Sequence, residues 1–150
     1  MGEIFIKGDN VIKNYWNNPH ADQFIQDGWL QTGDLGYFDS DNFLFLKSRK
    51  DDLINVGGEK FTSEEVELII KEIPEISDVA VIGISNEIFG QLPVAFVVTN
   101  KEITVTQIIN HCSKKMERYK IPHKISFLDA LPKTDSGKIK RNSLKSNFIQ

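Results

Sequence analysis

Downstream of residue 52, short β-branched runs alternate with two amphipathic helical runs, and this order restricts the possible folds more than any other feature. Strand-like composition, rich in β-branched and apolar residues, occurs at residues 53–56, 79–84, 94–98 and 124–128. A turn at Phe89-Gly90 separates the middle two, which we therefore expect to be antiparallel neighbours. The order of strand, helix, strand, strand, helix, strand predicts an α+β fold, with helices flanking an antiparallel sheet.

Each of the two helical runs has a start signal and an apolar stripe. The first is predicted to begin at Thr62 or Ser63 and to end before Pro74, because the proline ring lacks an amide hydrogen. Its predicted inward face consists of Val66, Ile69, Ile70 and Ile73. The second is predicted to begin at Thr104 or Thr106. Its apolar stripe consists of Ile108, Ile109, Cys112 and Met116.

The residues before position 47 are richer in aromatic side chains and predict a different arrangement. We expect a strand at residues 3–7, an aromatic stretch around Tyr15-Trp16 and a short helix at about residues 21–26. A β-hairpin is predicted where two aromatic runs, 37–38 and 43–46, flank the polar turn 39–42. The charged run 47–52 follows, and we expect a domain boundary within it.

Composition excludes several classes of protein. The chain of 150 residues is 40% hydrophobic and 26% charged, which is typical of soluble globular proteins. No apolar run approaches the ~20 residues of a transmembrane helix, and the acidic N-terminal segment does not resemble a secretory signal. The single cysteine, Cys112, cannot form an intrachain disulfide. We therefore expect a cytoplasmic protein, with Cys112 as a buried helix residue.

The charge distribution is uneven. A net charge of −3 argues against general binding to nucleic acid. However, the segment from Lys133 to Lys145 contains several basic residues and one acid, Asp135. Such a segment is compatible with a phosphate-bearing ligand or with a solvated tail. Within it, Gly137-Lys138 lacks the rest of the Gly-x-x-x-x-Gly-Lys-Ser/Thr pattern, so a P-loop of that type is rejected.

Four motifs occur in an order and spacing that resemble the C-terminal motifs of adenylate-forming enzymes, and acyl-CoA synthetases in particular. They are GWLQTGD at residues 28–34, RKD at 49–51, NVGGEK at 55–60 and PKTDSGKIKR at 132–141. This family also includes adenylation domains and luciferases. The resemblance covers nearly the whole chain. It implies a β-rich end of an N-terminal AMP-binding body at residues 1–48, a hinge at 49–52 and a small C-terminal lid domain at 53–150.

The resemblance also implies roles for individual residues of the nucleotide site and hinge. Asp34 corresponds to the family aspartate that accepts hydrogen bonds from the ribose hydroxyls of ATP, and Arg49 to the arginine that contacts the nucleotide. Asp51 corresponds to the hinge residue that absorbs the rotation of the lid. Read without the resemblance, Asp34 is typical of a turn aspartate and residues 49–51 of a solvated connector.

The remaining roles implied by the resemblance belong to the lid. Gly57 and Gly58 correspond to the place where pantetheine passes, although the local sequence alone predicts a left-handed turn. Lys138 corresponds to the lysine that bridges the acyl carboxylate and the nucleotide during adenylation; alone, it would be a surface cation. Some relatives carry a lysine at the position of Asn55, and that role is not transferred here.

The reaction implied for a complete enzyme uses ATP with Mg²⁺ and then CoA. A carboxylic acid, expected to be a fatty acid, is activated as acyl-AMP and then transferred to the thiol. The chain lacks the phosphate loop, adenine site and acyl pocket of the N-terminal body, so we expect it to be inactive alone and to bind none of these ligands firmly. Two alternatives remain open: an adenylation domain that loads the pantetheine of a carrier protein, and a stand-alone docking module without catalysis.

Overall fold

The chain divides into two compact units, Met1–Asp51 and Asp52–Gln150, in a computed structural model that describes residues 1–12 and 24–148. We call them the N-terminal unit and the C-terminal unit. The division falls within the charged run where a boundary was expected. The hinge role of residues 49–52 stays a prediction. The aromatic stretch around Tyr15-Trp16 lies outside the described residues.

The N-terminal unit contains a four-stranded antiparallel sheet. Its strands are β1 (Gly2–Ile6), β2 (Ile25–Gln26), β3 (Trp29–Phe38) and β4 (Leu44–Arg49). The central strand is β3, because it pairs with each of the other three. The predicted hairpin is confirmed as β3 and β4. In its turn, the Asp39 carboxylate accepts hydrogen bonds of 2.9 Å from the amides of Asp41 and Phe43.

The predicted helix at residues 21–26 is wrong in its last part, since Ile25–Gln26 form strand β2. Residues 21–23 lie outside the described residues. The backbone at Asp27 and Gly28 has φ angles of 51° and 78°, which makes a tight turn from β2 into β3. An Asp-Gly pair before an apolar strand is a hairpin signal, and it outweighs the weak helical preference of so short a segment.

In its described residues, the C-terminal unit has a five-stranded sheet, three α-helices and a short 3₁₀ helix at Arg118–Lys120. Its elements are β5 (Leu53–Val56), β6 (Glu59–Thr62), α1 (Ser63–Lys71), β7 (Ile76–Asn86), β8 (Gly90–Thr99), α2 (Val105–Ser113), β9 (Lys124–Phe127) and α3 (Arg141–Phe148). Strand β7 pairs with β8 along its length, while β5 and β9 pair with β8 at different heights on its other edge. The sheet is antiparallel except between β8 and β9, which are parallel. The predicted α+β fold is confirmed.

The central sheet of this unit is buried on both faces. Alternate residues of β7 and β8 point to opposite sides, as the two-residue period of a strand requires. One side packs against α1 and α2, with a core that includes Val79, Val81, Ala95, Val97, Val66, Ile70, Ile108 and Cys112. The other side packs against α3 and the preceding loop, with Ala80, Ile82, Val94, Phe96, Leu131 and Leu144. Both helices of the first side were predicted with the correct inward faces.

Capping explains why α1 and α2 begin where they do. Thr62 accepts a hydrogen bond from the Glu65 amide while the Glu65 side chain reaches back to the Thr62 amide, which is a capping box. Thr104 and Gln107 form the same arrangement on α2. The predicted starts at these threonines are therefore confirmed. Cys112 is buried on α2, and burial raises the pKa of its thiol to about 11, so it is an unreactive core residue.

In the C-terminal unit, one strand and one α-helix were not predicted. Strand β6 was missed because its four residues, Glu59–Thr62, have little apolar alternation before the helix start. Helix α3 was also missed, since the basic segment from Lys133 to Lys145 was given no secondary structure. Its single buried side chain among those the structure describes is Leu144, which is 2% exposed, and one leucine gives no periodicity to detect.

We predict that Leu144→Ala lowers the free energy of unfolding of the C-terminal unit by about 2–5 kcal/mol, because it empties a buried site that α3 fills. Asn142→Ala, an exposed position on the same helix, is the control and should change little. Urea unfolding followed by circular dichroism measures both. Equal midpoints for the two variants would mean that α3 does not contribute to the core.

Candidate functional site

Asp34 and Arg49 face each other across the β3–β4 pair. Their Cα positions are in register, and the Arg49 Nη1 atom donates a hydrogen bond of 2.9 Å to Asp34 Oδ1. The Arg49 side chain is 59% exposed, so its guanidinium is open to solvent. An ionised carboxylate can accept several hydrogen bonds, so this contact leaves acceptor capacity on Asp34. Both predicted nucleotide-site residues therefore lie in one place.

Two hydrogen bonds of the Thr32 hydroxyl hold the backbone before Asp34. The Asp34 amide donates to Thr32 Oγ1 at 3.0 Å, and that hydroxyl donates to the Ile4 carbonyl of β1 at 2.8 Å. Gly33 has a φ of 73°, and a Cβ there would lie 3.5 Å from the Arg49 guanidinium. Asp34 is thus a strand residue with a fixed backbone, and not the turn residue that its local sequence alone suggests.

An open cavity of about 390 Å³ lies beside this pair within the N-terminal unit. Its lining includes Arg49, Lys50, Asp51 and Glu3. Lys50 Nζ donates to Glu3 Oε2 at 2.8 Å, and Gln31 donates to the other oxygen at 2.7 Å. These two hydrogen bonds lower the pKa of the Glu3 carboxyl, and the bond from Lys50 has the larger effect. The cavity wall is therefore charged, and its polar groups are held in place.

Gly57 and Gly58 form the two-residue turn between β5 and β6. Their φ angles are 61° and 98°, so the predicted left-handed turn is confirmed, although it joins two strands and not a strand and a helix. The Gly57 amide donates to the Phe89 carbonyl at 2.8 Å, and the Gly58 amide to Asn55 Oδ1 at 3.1 Å. A Cβ on Gly58 would meet no atom within 4 Å. The turn therefore presents bare backbone to open space.

Lys138 lies in a loop that is closed by its own hydrogen bonds. The Thr134 amide donates to the Lys138 carbonyl at 2.7 Å, and the Lys138 amide donates to Thr134 Oγ1 at 3.1 Å. Gly137, with a φ of 82°, allows the reversal. The Lys138 side chain is exposed, and within the described part of the chain it has no ion-pair partner. We call residues 132–140 the Lys138 loop.

The base of the Lys138 loop is attached to the start of β7. Lys133 Nζ forms an ion pair of 2.6 Å with Asp78 Oδ2. Partial burial alone would raise the pKa of Asp78, but hydrogen bonds from Lys133 and the Val79 amide outweigh it and hold the pKa below its ordinary value. The Lys138 loop, for which the charge pattern alone left a solvated tail open, is therefore bonded to β7 at its base and closed by its own hydrogen bonds.

The Gly57-Gly58 turn and the Lys138 loop are attached at opposite ends of β7. The turn is bonded to Phe89, just after β7 ends at Asn86, whereas the loop is bonded to Asp78, near its start. Eight residues of strand separate these attachments, a length of about 25 Å. The C-terminal unit therefore carries its two predicted functional surfaces well apart from each other.

A charged cluster that sequence reasoning did not single out lies around Arg141. Its guanidinium contacts Asp52 at 2.9 Å, Glu67 at 2.9 Å and the Ser63 hydroxyl at 3.3 Å. Burial raises the pKa of Glu67 and outweighs the opposing contacts from the Val81 amide and from Arg141. Arg141 belongs to the recognised PKTDSGKIKR motif, but no local signal indicates that Asp52 and Glu67 are its partners.

The described residues contain no cluster of histidine, cysteine or carboxylate side chains that could hold a metal ion. Within the same residues, 1–12 and 24–148, no helix is long and apolar enough to cross a membrane.

Residues 65–138 match the family model described as the AMP-binding enzyme C-terminal domain. The C-terminal unit belongs to this domain family. The 2-succinylbenzoate–CoA ligase of Bacillus cereus is 41% identical over 145 residues, which are 96% of this chain and 30% of the relative. This chain therefore spans less than a third of that enzyme's length.

Solved structures give the same result. The o-succinylbenzoate CoA synthetase of Bacillus subtilis, in complex with the acyl-adenylate intermediate, matches with a TM-score of 0.80 and 40% identity over 96% of this chain and 30% of that one. A fatty acyl CoA synthetase of Mycobacterium tuberculosis matches with a TM-score of 0.67 and 38% identity over 98% and 30%. The Bacillus subtilis enzyme is also known with ATP and a magnesium ion. The family resemblance found in the sequence is therefore confirmed.

We predict that Lys133→Met raises the pKa of Asp78, because it removes the ion pair that opposes the effect of burial. The pKa of Asp78 is lower in the folded state than in the unfolded state. The ion pair therefore stabilises the fold at pH values above the unfolded-state pKa, and this stabilisation is lost as the pH falls through the folded-state pKa. Carbon-detected NMR titration of the Asp78 carboxyl measures the shift. Lys71→Met, which removes a charge that acts on Asp78 only through space, is the control and should raise the pKa less.

Proposed function

We propose that this chain acts as the lid, with the adjoining end of the body, of an ATP-dependent acid–CoA ligase. The observation that carries the proposal is the exposed Lys138 ammonium on a rigid loop of a domain whose family is established. An ammonium group is a compact charge suited to phosphate and carboxylate oxygens. Because the chain spans 30% of its relatives, the activity belongs to a complete enzyme.

In the first half-reaction, a carboxylate oxygen of the acid attacks the α-phosphorus of ATP and pyrophosphate leaves. Lys138 is proposed to contact both the attacking carboxylate and the nucleotide, where it stabilises negative charge that develops on the phosphoryl oxygens. Its fixed backbone favours this role, because a preorganised charge needs little rearrangement during the reaction. Mg²⁺ enters with the ATP phosphates as part of the substrate.

The nucleotide is proposed to meet Asp34 and Arg49 in the N-terminal unit. The Asp34 carboxylate has the acceptor capacity for ribose hydroxyls, and the exposed Arg49 guanidinium suits phosphate oxygens. Their mutual hydrogen bond keeps both groups oriented when the nucleotide arrives. The charged cavity beside them is the proposed entrance.

In the second half-reaction, the thiol sulfur of CoA attacks the acyl carbon, its proton passes to solvent and AMP leaves. The bare turn at Gly57-Gly58 is the proposed surface along which pantetheine passes, because it offers backbone without side chains in the way. This turn and Lys138 are attached about 25 Å apart on β7. They can serve one active site in succession if the lid turns about residues 49–52, with Asp51 as the proposed hinge residue.

The proposed partner of the N-terminal unit is the rest of the AMP-binding body. Among the residues of this unit that the structure describes, Leu35 is the only buried hydrophobic side chain, while Phe38, Phe43 and Leu46 are each about two-thirds or more exposed. So little burial cannot offset the entropy of ordering four strands. We therefore propose that the rest of the body covers this sheet.

For the acid substrate, we propose 2-succinylbenzoate, after the Bacillus relatives. The fatty acid expected from the sequence is not supported by them, although one structural relative is named for fatty acyl substrates. We place the enzyme in the cytoplasm, where ATP and CoA are available.

The 150 residues alone are predicted to give no carboxylate-dependent exchange of pyrophosphate into ATP, because the phosphate loop and acyl pocket lie elsewhere. Addition of a separately produced N-terminal body is the matched comparison and should restore exchange. Robust exchange by the purified chain would contradict the proposed division of the active site.

In the complete enzyme, Lys138→Ala is predicted to lower the rate of acyl-AMP formation by about 100- to 1000-fold, the usual cost of losing one charge-stabilising contact. Thioester formation from supplied acyl-AMP should stay nearly unchanged. The control is Lys140→Ala, another exposed cation of the same loop. Pyrophosphate exchange and CoA thioester assays separate the two steps. An equal loss in both steps would assign Lys138 a different role.

A further inference from the structure

The Arg141 cluster has no role in the function proposed above, yet it joins three parts of the C-terminal unit. Arg141 is the first residue of α3, Asp52 is the first residue of the unit, and Glu67 lies in α1. The side chains of these three residues are 22%, 29% and 14% exposed. A cluster this sheltered is screened less than a surface ion pair and holds a more defined geometry.

The contacts use the planar shape of the guanidinium. Nε donates to Asp52 Oδ1 at 2.9 Å, while Nη2 lies 2.9 Å from Glu67 Oε1 and 3.1 Å from Oε2. Glu67 is itself fixed, because its Oε1 accepts the Val81 amide of β7 at 2.7 Å. Arg141 therefore contacts Asp52 through Nε and, independently, contacts through Nη2 a glutamate that is bonded to the central sheet.

We propose that Arg141 is a positioning residue: it holds Asp52, which directly follows the proposed hinge residue Asp51, in a fixed relation to the Lys138 loop. This inference rests on the proposed function for its catalytic consequence. Its structural part, the fixing of Asp52, stands on the cluster alone.

The Lys138 side of this connection is short and stiff. Arg141 is three residues from Lys138, and its amide donates to the Ile139 carbonyl at 3.1 Å. The Lys140 amide donates to the Pro132 carbonyl at 2.8 Å, which closes the loop next to Arg141. On the other side of α3's first turn, buried Leu144 attaches the helix to the sheet. These hydrogen bonds therefore keep Arg141 in a nearly fixed position relative to the Lys138 loop.

The hinge side has a matching attachment in the N-terminal unit. Lys50, directly before Asp51, is paired with Glu3 of β1 at 2.8 Å. Asp51 thus has a neighbour held by each unit: Lys50 by the N-terminal unit and Asp52 by the C-terminal unit. Because both neighbours are held, rotation of the C-terminal unit takes place mainly about the backbone torsions of Asp51. The Lys138 loop then moves together with Asp52. If Asp52 were free, the same rotation would be spread over two residues and Lys138 would reach its target less often.

The test compares two carboxylates that share one guanidinium. Asp52→Asn weakens the attachment next to the hinge and keeps the size of the side chain, whereas Glu67→Gln weakens the attachment to α1 and leaves Asp52 in place. The first readout is the ¹⁵N heteronuclear NOE of the residue-52 amide in the 150-residue chain. Asp52→Asn should lower it toward the values of mobile backbone, and Glu67→Gln should leave it high.

The second readout is the ratio of the two half-reaction rates in the complete enzyme. Asp52→Asn should lower acyl-AMP formation by about tenfold, the size expected for coupling between contacting side chains, and change thioester formation from supplied acyl-AMP less than twofold. Glu67→Gln should leave the ratio within twofold of the unmodified enzyme. Arg141→Lys keeps the charge but loses the fork, so it should match Asp52→Asn. The double variant, with both Arg141→Lys and Asp52→Asn, should then lower the rate of acyl-AMP formation no further than either single variant does.

Four results would overturn the inference: an unchanged amide at residue 52, an equal loss in both half-reactions, the same shift in ratio for Glu67→Gln, or additive effects of Arg141→Lys and Asp52→Asn. Failure of the proposed function is a separate result. It would be seen as normal acyl-AMP formation by the Lys138→Ala enzyme, and the amide measurement would still decide whether Arg141 fixes Asp52.

Discussion

The burial of both faces of the β7–β8 pair is the constraint on which the rest of the C-terminal unit depends. Val79 and Val81 face α1 and α2, whereas Ala80 and Ile82 face α3. Because both faces are covered, a register shift of one residue would exchange two complementary surfaces at once, which makes the pairing strongly specified. Within this unit, the Lys138 loop is bonded to β7, and the Gly57-Gly58 turn is bonded to the segment that joins β7 to β8.

The attachment points explain how one small domain can present two chemically different surfaces. One surface is a cation on a closed loop near the start of β7, and the other is an exposed glycine turn beyond its end. A rigid sheet keeps the distance between them constant, since packed interiors deform little. The proposed alternation between the surfaces therefore relies on movement of the whole domain and not on rearrangement within it.

Much of the fold could be predicted from the sequence, and the failures have physical reasons. Thr62 and Thr104 give strong capping signals, and the valine-rich runs of β7 and β8 are read directly as strands. Helix α3 could not be predicted, because Leu144 is its one buried anchor among the described side chains and its other contacts come from distant residues. Residues 25 and 26 form a strand and not the predicted helix, because the Asp-Gly turn that follows pairs them with the start of β3.

The candidate site, like the fold, could be predicted from the sequence only in part. Motif spacing identified Asp34, Arg49, Gly57, Gly58 and Lys138 as residues of interest, and their roles stay predictions. The pairing of Asp34 with Arg49 depends on the register of β3 and β4, which no single motif contains. In the Arg141 cluster, Arg141 contacts Glu67, which is 74 positions away in the sequence, and Asp52, which is 89 positions away. Contacts over such separations follow from the packed fold and leave no local pattern.

The burial of Cys112 has a practical consequence for any measurement of the proposed domain movement. It is the single cysteine of these 150 residues, and its thiol is enclosed by the core with a pKa of about 11. At neutral pH almost no thiolate is present, and the thiolate is the form that reacts with maleimides. Cysteines introduced at exposed positions on either side of Asp51 can therefore carry fluorescent dyes selectively in this segment, without replacing the native residue.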